Sequence, residues 1–81
     1  MVNEVAHNLL APHRDAIIFY KLMGSWPGGD IHEIGAIARA FGMPENEISY
    51  NCSGCLGNML NFIYQFITPE EVTDYKQRKG I

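Results

Sequence analysis

Apolar residues recur every three or four positions along most of the chain, and no stretch alternates with a period of two. Spacings of three and four place side chains on one face of an α-helix, whereas a period of two would indicate a strand. Gly, Pro or an N-capping residue bounds each helical stretch. The pattern therefore predicts an all-α bundle of four to five short helices.

The best-marked helix starts lie at Asp30 and Thr68. Asp30 closes the loop at residues 25–29 and precedes Glu33 by three positions, a capping-box pattern, and Thr68 is followed by proline and two glutamates. Two earlier helices are expected around residues 5–10 and 16–23. The residues expected in the core are Ile17, Ile18, Phe19, Leu22, Ile34, Ile37, Ala38, Phe41, Ile48, Cys55, Leu56, Met59, Leu60, Ile63 and Phe66.

A fourth helical stretch is predicted to open at residues 43–45, and its apolar stripe extends from Ile48 to Ile67. Gly54 and Gly57 each cost about 1 kcal/mol relative to alanine inside a helix. The stretch is therefore either one helix or two segments with a break at residues 51–54, and the sequence leaves both open.

With 81 residues, the chain is expected to form one domain, residues 1–81. Apolar residues make up 47% of it and charged residues 19%, which is typical of a globular protein. A chain this short buries a small share of its surface, so stability often depends on a partner subunit. We therefore predict a homodimer with two-fold symmetry.

The sequence predicts a cytoplasmic protein without a membrane span. No segment approaches the roughly 20 consecutive apolar residues that cross a bilayer, and residues 1–4 lack the features of a signal peptide. Cys52 and Cys55 are then expected to be reduced thiols.

Charge is distributed unevenly. The net charge is -3, and no Lys or Arg occurs between Ala40 and Tyr75. This half of the surface is predicted to be neutral to acidic, which disfavours nucleic acid and favours a partner with a basic or nucleic-acid-binding surface. The acidic residues in this half are Glu45, Glu47, Glu70, Glu71 and Asp74.

Residues 37–49 resemble a helix-turn-helix motif. Ala38 matches its small residue, Gly42 its turn glycine and Ile48 the inward aliphatic residue of its second helix. The resemblance predicts a helix-turn-helix-like pair in the middle of the chain.

A recognition helix also needs cations for phosphates, and this one would present Glu45 and Glu47 instead. DNA binding is therefore the alternative function. Its contacts would come from Arg39 and the basic tail at residues 76–79.

The Cys-x-x-Cys pair formed by Cys52 and Cys55 allows three interpretations. It could supply half of a zinc site completed by His7, His13 or His32, it could be a redox dithiol, or its members could be small buried side chains. No second Cys-x-x-Cys or His-x-x-x-His pair accompanies it. We expect no metal and no other cofactor.

No nucleophile elbow, paired catalytic carboxylate motif or phosphate-binding loop occurs in the sequence, which predicts that the chain is not an enzyme. The polar, uncharged face of the fourth helical stretch is the best candidate for contact with another protein, since Tyr, Trp and Asn suit adaptable interfaces. Gly54 and Gly57 would allow close approach of a helix, either from a partner or from within the chain. The candidate protein-binding residues are Trp26, Glu45, Glu47, Tyr50, Asn51, Asn58, Asn61 and Tyr64.

The run Asn51-Cys52-Ser53-Gly54-Cys55-Leu56, followed by an aromatic-rich helix, resembles short bacteriophage proteins of unknown role. The resemblance implies a phage-borne accessory or host-interaction role and transfers no site residues. Together with the missing catalytic motifs, it predicts a small non-enzymatic protein-binding module, encoded by a phage as a regulator or inhibitor of a host protein.

Overall fold

The structure is a computed structural model that describes residues 4–28, 30–50 and 54–80. Within these ranges it contains helices and turns and no strand, so the all-α prediction is confirmed. The helices are α1 (Glu4–Leu10), α2 (Arg14–Met23), α3 (Ile31–Ala40), α4 (Cys55–Tyr64) and α5 (Pro69–Lys79), with 3₁₀ turns at Ala11–His13 and Glu45–Glu47.

The start of α5 has the local structure that the sequence predicts. The Thr68 hydroxyl accepts a hydrogen bond from the Glu71 backbone N–H at 3.2 Å, and the Glu71 carboxylate accepts one from the Thr68 N–H at 2.9 Å. Each bond satisfies a backbone donor that has no partner within the helix. The capping box at Thr68 is therefore complete.

The start of α3 differs in one respect. The Asp30 carboxylate caps the helix by accepting a hydrogen bond from the His32 N–H at 2.8 Å. Glu33, expected to complete a capping box, instead lies 2.9 Å from His13, between Oε2 and Nε2. Glu33 thus contacts a side chain of the first 3₁₀ turn, which precedes α2, instead of the backbone at the start of its own helix.

The predicted second helix of the helix-turn-helix pair is wrong. The chain leaves α3 through Gly42, at a φ of 104°, but only the 3₁₀ turn Glu45–Glu47 follows, and Ile48 is extended. Ile48 packs against the core from this extended position. Its β-branched side chain and the following serine are weak helix formers, so a tertiary contact outweighs the propensity for a helix here.

The fourth helical stretch is therefore not one continuous helix. α4 begins at Cys55, and the described residues before it, Ile48 to Tyr50, are not helical. Residues 51–53 of the predicted break lie outside the described residues.

The core lies between α2, α3 and α4, with contributions from α1 and α5. Among the predicted members, Phe19, Phe41, Ile48, Cys55, Leu56 and Phe66 are half-buried. Leu22 is 36% exposed, so its assignment to the core is wrong. The buried hydrophobic residues are Ala6, Leu10, Ile17, Ile18, Ile34, Ile37, Ala38, Met59, Leu60, Ile63, Ile67 and Tyr75.

The packing of the helices explains why α2 cannot bury its whole apolar surface. α2 packs against α4 and α5, and α3 packs against α1 and α4. The resulting arrangement is flat, with extents of 38 × 32 × 17 Å, and Leu22 and Met23 at the end of α2 stay exposed. Within the described ranges, no helix has the length and apolar character needed to cross a membrane.

Candidate functional site

A surface groove runs between α4 and the 3₁₀ turn that follows α3. It has a volume of about 530 Å³. Three of the predicted binding residues meet in it, Glu47, Asn58 and Asn61. We call it the α4 groove, and the residues that line it are Met43, Glu47, Asn58, Asn61, Phe62 and Gln65.

Helical spacing explains how α4 forms one side of this groove. Asn58, Asn61 and Gln65 are exposed and follow one another at intervals of three and four residues, so they share a face. Met59 and Leu60 are fully buried on the face that packs into the core. The amphipathic character of α4 therefore presents a row of amides to solvent.

Aromatic packing fixes the apolar floor of the groove. Phe62 is half-buried, and its ring makes an edge contact with Phe66, with a centroid distance of 5.5 Å. Phe66 in turn stacks on Phe41 at 4.4 Å. Gln65 Nε2 donates a hydrogen bond to the Phe62 carbonyl at 2.9 Å, which holds the amide side chain along α4.

Lys21 of α2 contacts Asn61, one of the amides in this row, and the neighbouring Tyr64 of α4. Lys21 Nζ donates a hydrogen bond to Asn61 Oδ1 at 2.9 Å and lies 5.4 Å from the centroid of the Tyr64 ring. An amide oxygen and an aromatic face together hold an ammonium group there.

The remaining predicted binding residues lie elsewhere. Trp26 is half-buried and packs against the core, which favours a role as a cover over the core. Tyr50 packs on α3, with its ring centroid 4.3 Å from that of His32. Glu45 is exposed and does not line the groove, and Asn51 lies outside the described residues.

The two glycines before and within α4 have different surroundings. A Cβ atom at Gly57 would lie 3.0 Å from the Tyr20 hydroxyl of α2, whereas one at Gly54 would meet open space. Gly57 therefore leaves room for the Tyr20 side chain where α2 packs against α4, which favours the internal alternative left open by the sequence.

A second groove, missed by sequence reasoning, lies between α1, the first 3₁₀ turn and α3. It has a volume of about 250 Å³, and the His13–Glu33 contact lies among its walls. Leu9, which lines the groove, is 43% exposed, and Val5, one turn earlier on α1, is 68% exposed. The apolar i, i+4 pair on α1 was the available signal, but the groove also depends on how α1 meets α3. Its lining residues are Asn8, Leu9, Pro12, His13, Glu33, Ala36 and Ile37.

Ion pairs connect α5 to α2 and neutralise part of the basic tail. The Arg78 guanidinium donates two hydrogen bonds to Asp15, at 3.0 and 3.1 Å, and a third to Asp74 at 2.8 Å. The bonds from Arg78 hold the pKa of Asp15 below its ordinary value, and the two carboxylates raise the pKa of Arg78. Arg78 is thus occupied within the chain, which weakens the proposed role of the tail in contacting DNA.

The cysteine expectation needs correction. Cys55 is disulfide-bonded, so the prediction of a reduced thiol at this position is wrong. The prediction followed from the expected cytoplasmic location, where thiols stay reduced, and the disulfide sulfur belongs to the first residue of α4. A disulfide sulfur is not the thiolate that zinc requires. Cys52 lies outside the described residues.

The histidines considered as metal ligands lie in three separate contacts. Across residues 4–28, 30–50 and 54–80, no group of three or more His, Cys, Asp or Glu side chains is arranged to hold a metal ion. The three histidines instead contact other side chains: His7 packs on Phe41, His13 meets Glu33 and His32 meets Tyr50.

No family model, curated protein or solved structure matches this chain. The resemblance to short bacteriophage proteins therefore stays a prediction.

Proposed function

We propose that this chain is a non-enzymatic module that binds another protein through the α4 groove. The observation that carries the proposal is the convergence of Glu47, Asn58 and Asn61 on one exposed groove with an apolar floor. Protein interfaces combine an apolar centre with a polar rim, and Met43 and Phe62 would supply the centre here. The groove is formed by the folded chain, so little ordering entropy opposes binding.

The charge distribution favours a basic partner. All residues that line the groove belong to the half of the chain that has no Lys or Arg, and Glu47 is exposed in its wall. The ammonium group of Lys21 reaches only the Asn61 end. Complementary charge speeds association and selects among partners. Such a partner includes a host protein whose nucleic-acid-binding surface this domain would cover, in the role of a phage-encoded regulator or inhibitor.

A cytoplasmic site of action is part of the proposal. Disulfides are rare in that compartment because thiol reductants keep cysteines reduced. The bond at Cys55 would persist there only if those reductants cannot reach it. Alkylation of rapidly quenched cells, followed by mass spectrometry of the peptide that contains Cys55, measures its state directly.

Site-specific photo-crosslinking tests the binding site. A benzoylphenylalanine residue replaces Asn58 in the groove or, as a matched control, the exposed Gln77 on α5. After irradiation in the native host, position 58 should give a discrete protein adduct and position 77 should not. Adducts of equal yield from both positions, or none from position 58, would contradict the proposal.

The DNA-binding alternative predicts a different result. It requires a recognition helix, but a three-residue turn occupies positions 45–47. A gel shift on random duplex at low salt is expected to show no complex. A shift with steep salt dependence, without a cross-linked protein, would favour DNA binding instead.

We further propose that the domain is a two-fold homodimer. The exposed Val5 and Leu9 on successive turns of α1 offer an apolar patch that a second copy could cover. Light scattering at micromolar concentration should give twice the 9.1 kDa mass of one chain. The double substitution Val5→Ser and Leu9→Ser should halve that value, and a monomeric mass for the unmodified chain would refute the dimer.

A further inference from the structure

We infer that the α4 groove receives a basic side chain, a lysine or an arginine, from the bound protein. The inference rests on the proposed function and specifies the chemistry of the contact. It follows from the polar groups of the groove, from a cation already bound at its end and from the apolar floor.

The polar groups that line the groove suit a cation. Glu47 carries a carboxylate, which only accepts hydrogen bonds when ionised, and Asn58 and Asn61 offer amide oxygens. None of the six lining residues is a Lys, Arg or His. The exposed Glu47 carboxylate would repel an anionic ligand, whereas an ammonium or guanidinium group would pair with it.

Asn61, one of the amides that line the groove, already binds an ammonium group, that of Lys21. The Lys21 Nζ atom is held at 2.9 Å by Asn61 Oδ1 and lies 5.4 Å from the Tyr64 ring centroid. Asn58 lies three residues before Asn61 on the same face of α4, one turn further from this lysine. Because the positive charge of Lys21 occupies the Asn61 end and repels a second cation there, a cation supplied by a partner would bind at Asn58 and Glu47.

The floor of the groove fits the rest of a basic side chain. Lys and Arg carry long aliphatic stems that pack on apolar surface while the charged head stays in contact with water. Met43 and Phe62 provide that surface, and the Phe62 ring adds a cation–π contact for a guanidinium group. The groove thus combines an apolar base with acceptors at its rim.

Titration of the ¹⁵N-labelled 81-residue chain with defined peptides tests the inference. The probe is acetyl-Gly-Ser-Arg-Lys-Arg-Ser-Gly-amide, and its control has citrulline for arginine and acetyl-lysine for lysine. The basic peptide should shift the side-chain amide signals of Asn58, Asn61 and Gln65. The control peptide should not, and added salt should weaken binding.

Two substitutions of exposed glutamates sharpen the test. Glu47→Gln should weaken binding of the basic peptide up to about fivefold, the range for a solvent-exposed ion pair. Glu70→Gln removes the same charge from α5, outside the groove, and should leave the affinity unchanged. Circular dichroism confirms that both variants are folded.

The outcomes separate this inference from the proposed function. Equal binding of the two peptides, equal effects of the two substitutions, or signal shifts away from the groove would overturn it. If position 58 cross-links a protein but the basic peptide does not bind, recognition of a basic side chain is wrong and the proposed function stands. If the basic peptide binds as expected but no protein is cross-linked, the proposed function fails and cation recognition stands.

Discussion

The carboxylate of Glu71 both starts α5 and connects it to α2. One oxygen accepts the Thr68 N–H at 2.9 Å, and the other lies 2.6 Å from Arg14 Nε. The side chains of Arg14 and Glu71 are 30% and 28% exposed, so the ion pair is only partly screened by water. Loss of this one side chain should therefore affect a helix start and a contact between two helices.

The two contributions can be separated by choosing the replacement. Glu71→Gln keeps an amide oxygen that can accept the Thr68 N–H but removes the charge that pairs with Arg14. An exposed ion pair contributes up to about 1 kcal/mol and breaking a buried one costs 3–5 kcal/mol, so a partly exposed pair should contribute about 1–2 kcal/mol. Glu71→Ala also loses the cap, which adds about 1 kcal/mol, and should destabilise the fold by about 2–3 kcal/mol.

Urea denaturation followed by circular dichroism measures the free energy of unfolding of each variant. The variants are compared at the same m-value, the dependence of that free energy on urea concentration. Glu70→Gln is the matched control, because Glu70 is exposed on the same turn, and it should change stability by less than about 0.5 kcal/mol. A double-mutant cycle with Arg14→Met isolates the coupling between the two side chains. Additive effects in the cycle, or equal stabilities for the Gln and Ala variants, would refute the reasoning.

Two further predictions concern the core and the surface ion pairs. Leu60→Ala removes a fully buried side chain and should lower the free energy of unfolding by about 2–5 kcal/mol in the same urea assay. Leu22→Ala, at a 36% exposed position, should lower it by at most about 1–2 kcal/mol. The pKa of Asp15 is lower in the folded chain than its ordinary value of about 3.9, which applies to the unfolded chain. The ion pairs of Asp15 therefore stabilise the fold at a pH above about 3.9, and this stabilisation is lost as the pH falls through the folded-state pKa. Asp15→Asn should therefore reduce the loss of stability on acidification, measured by urea midpoints between pH 6 and pH 3, and an unchanged slope would contradict this assignment.

Local signals were sufficient for most of the fold. The Thr68 cap and Gly24, where α2 ends at a φ of 77°, act through hydrogen bonds and backbone freedom within a few residues. Such features depend little on the rest of the chain, so the sequence alone predicts them. The buried stripes of α3 and α4 follow from helical spacing for the same reason.

The misassigned positions depend on contacts between distant parts of the chain. Ile48 leaves the helical path because it packs on the core, and Leu22 stays 36% exposed although it lies on the apolar stretch of α2. Glu47 meets Asn58 and Asn61 only because the segment after α3 turns toward α4. The sequence therefore indicated several binding residues, but not that the segment after α3 and α4 would form the two walls of one groove.

The 17 Å thickness of the molecule has a consequence for its dynamics. An α-helix with its side chains is about 10 Å across, so this fold is two helices thick and its interior is a single layer of side chains. A single layer has no inner region that stays protected while an outer one opens. Amide hydrogens of α2, α3 and α4 should then exchange with solvent through one shared opening event, with nearly equal free energies. A ligand held in the α4 groove would slow exchange by a similar factor in all three helices, including those it does not touch.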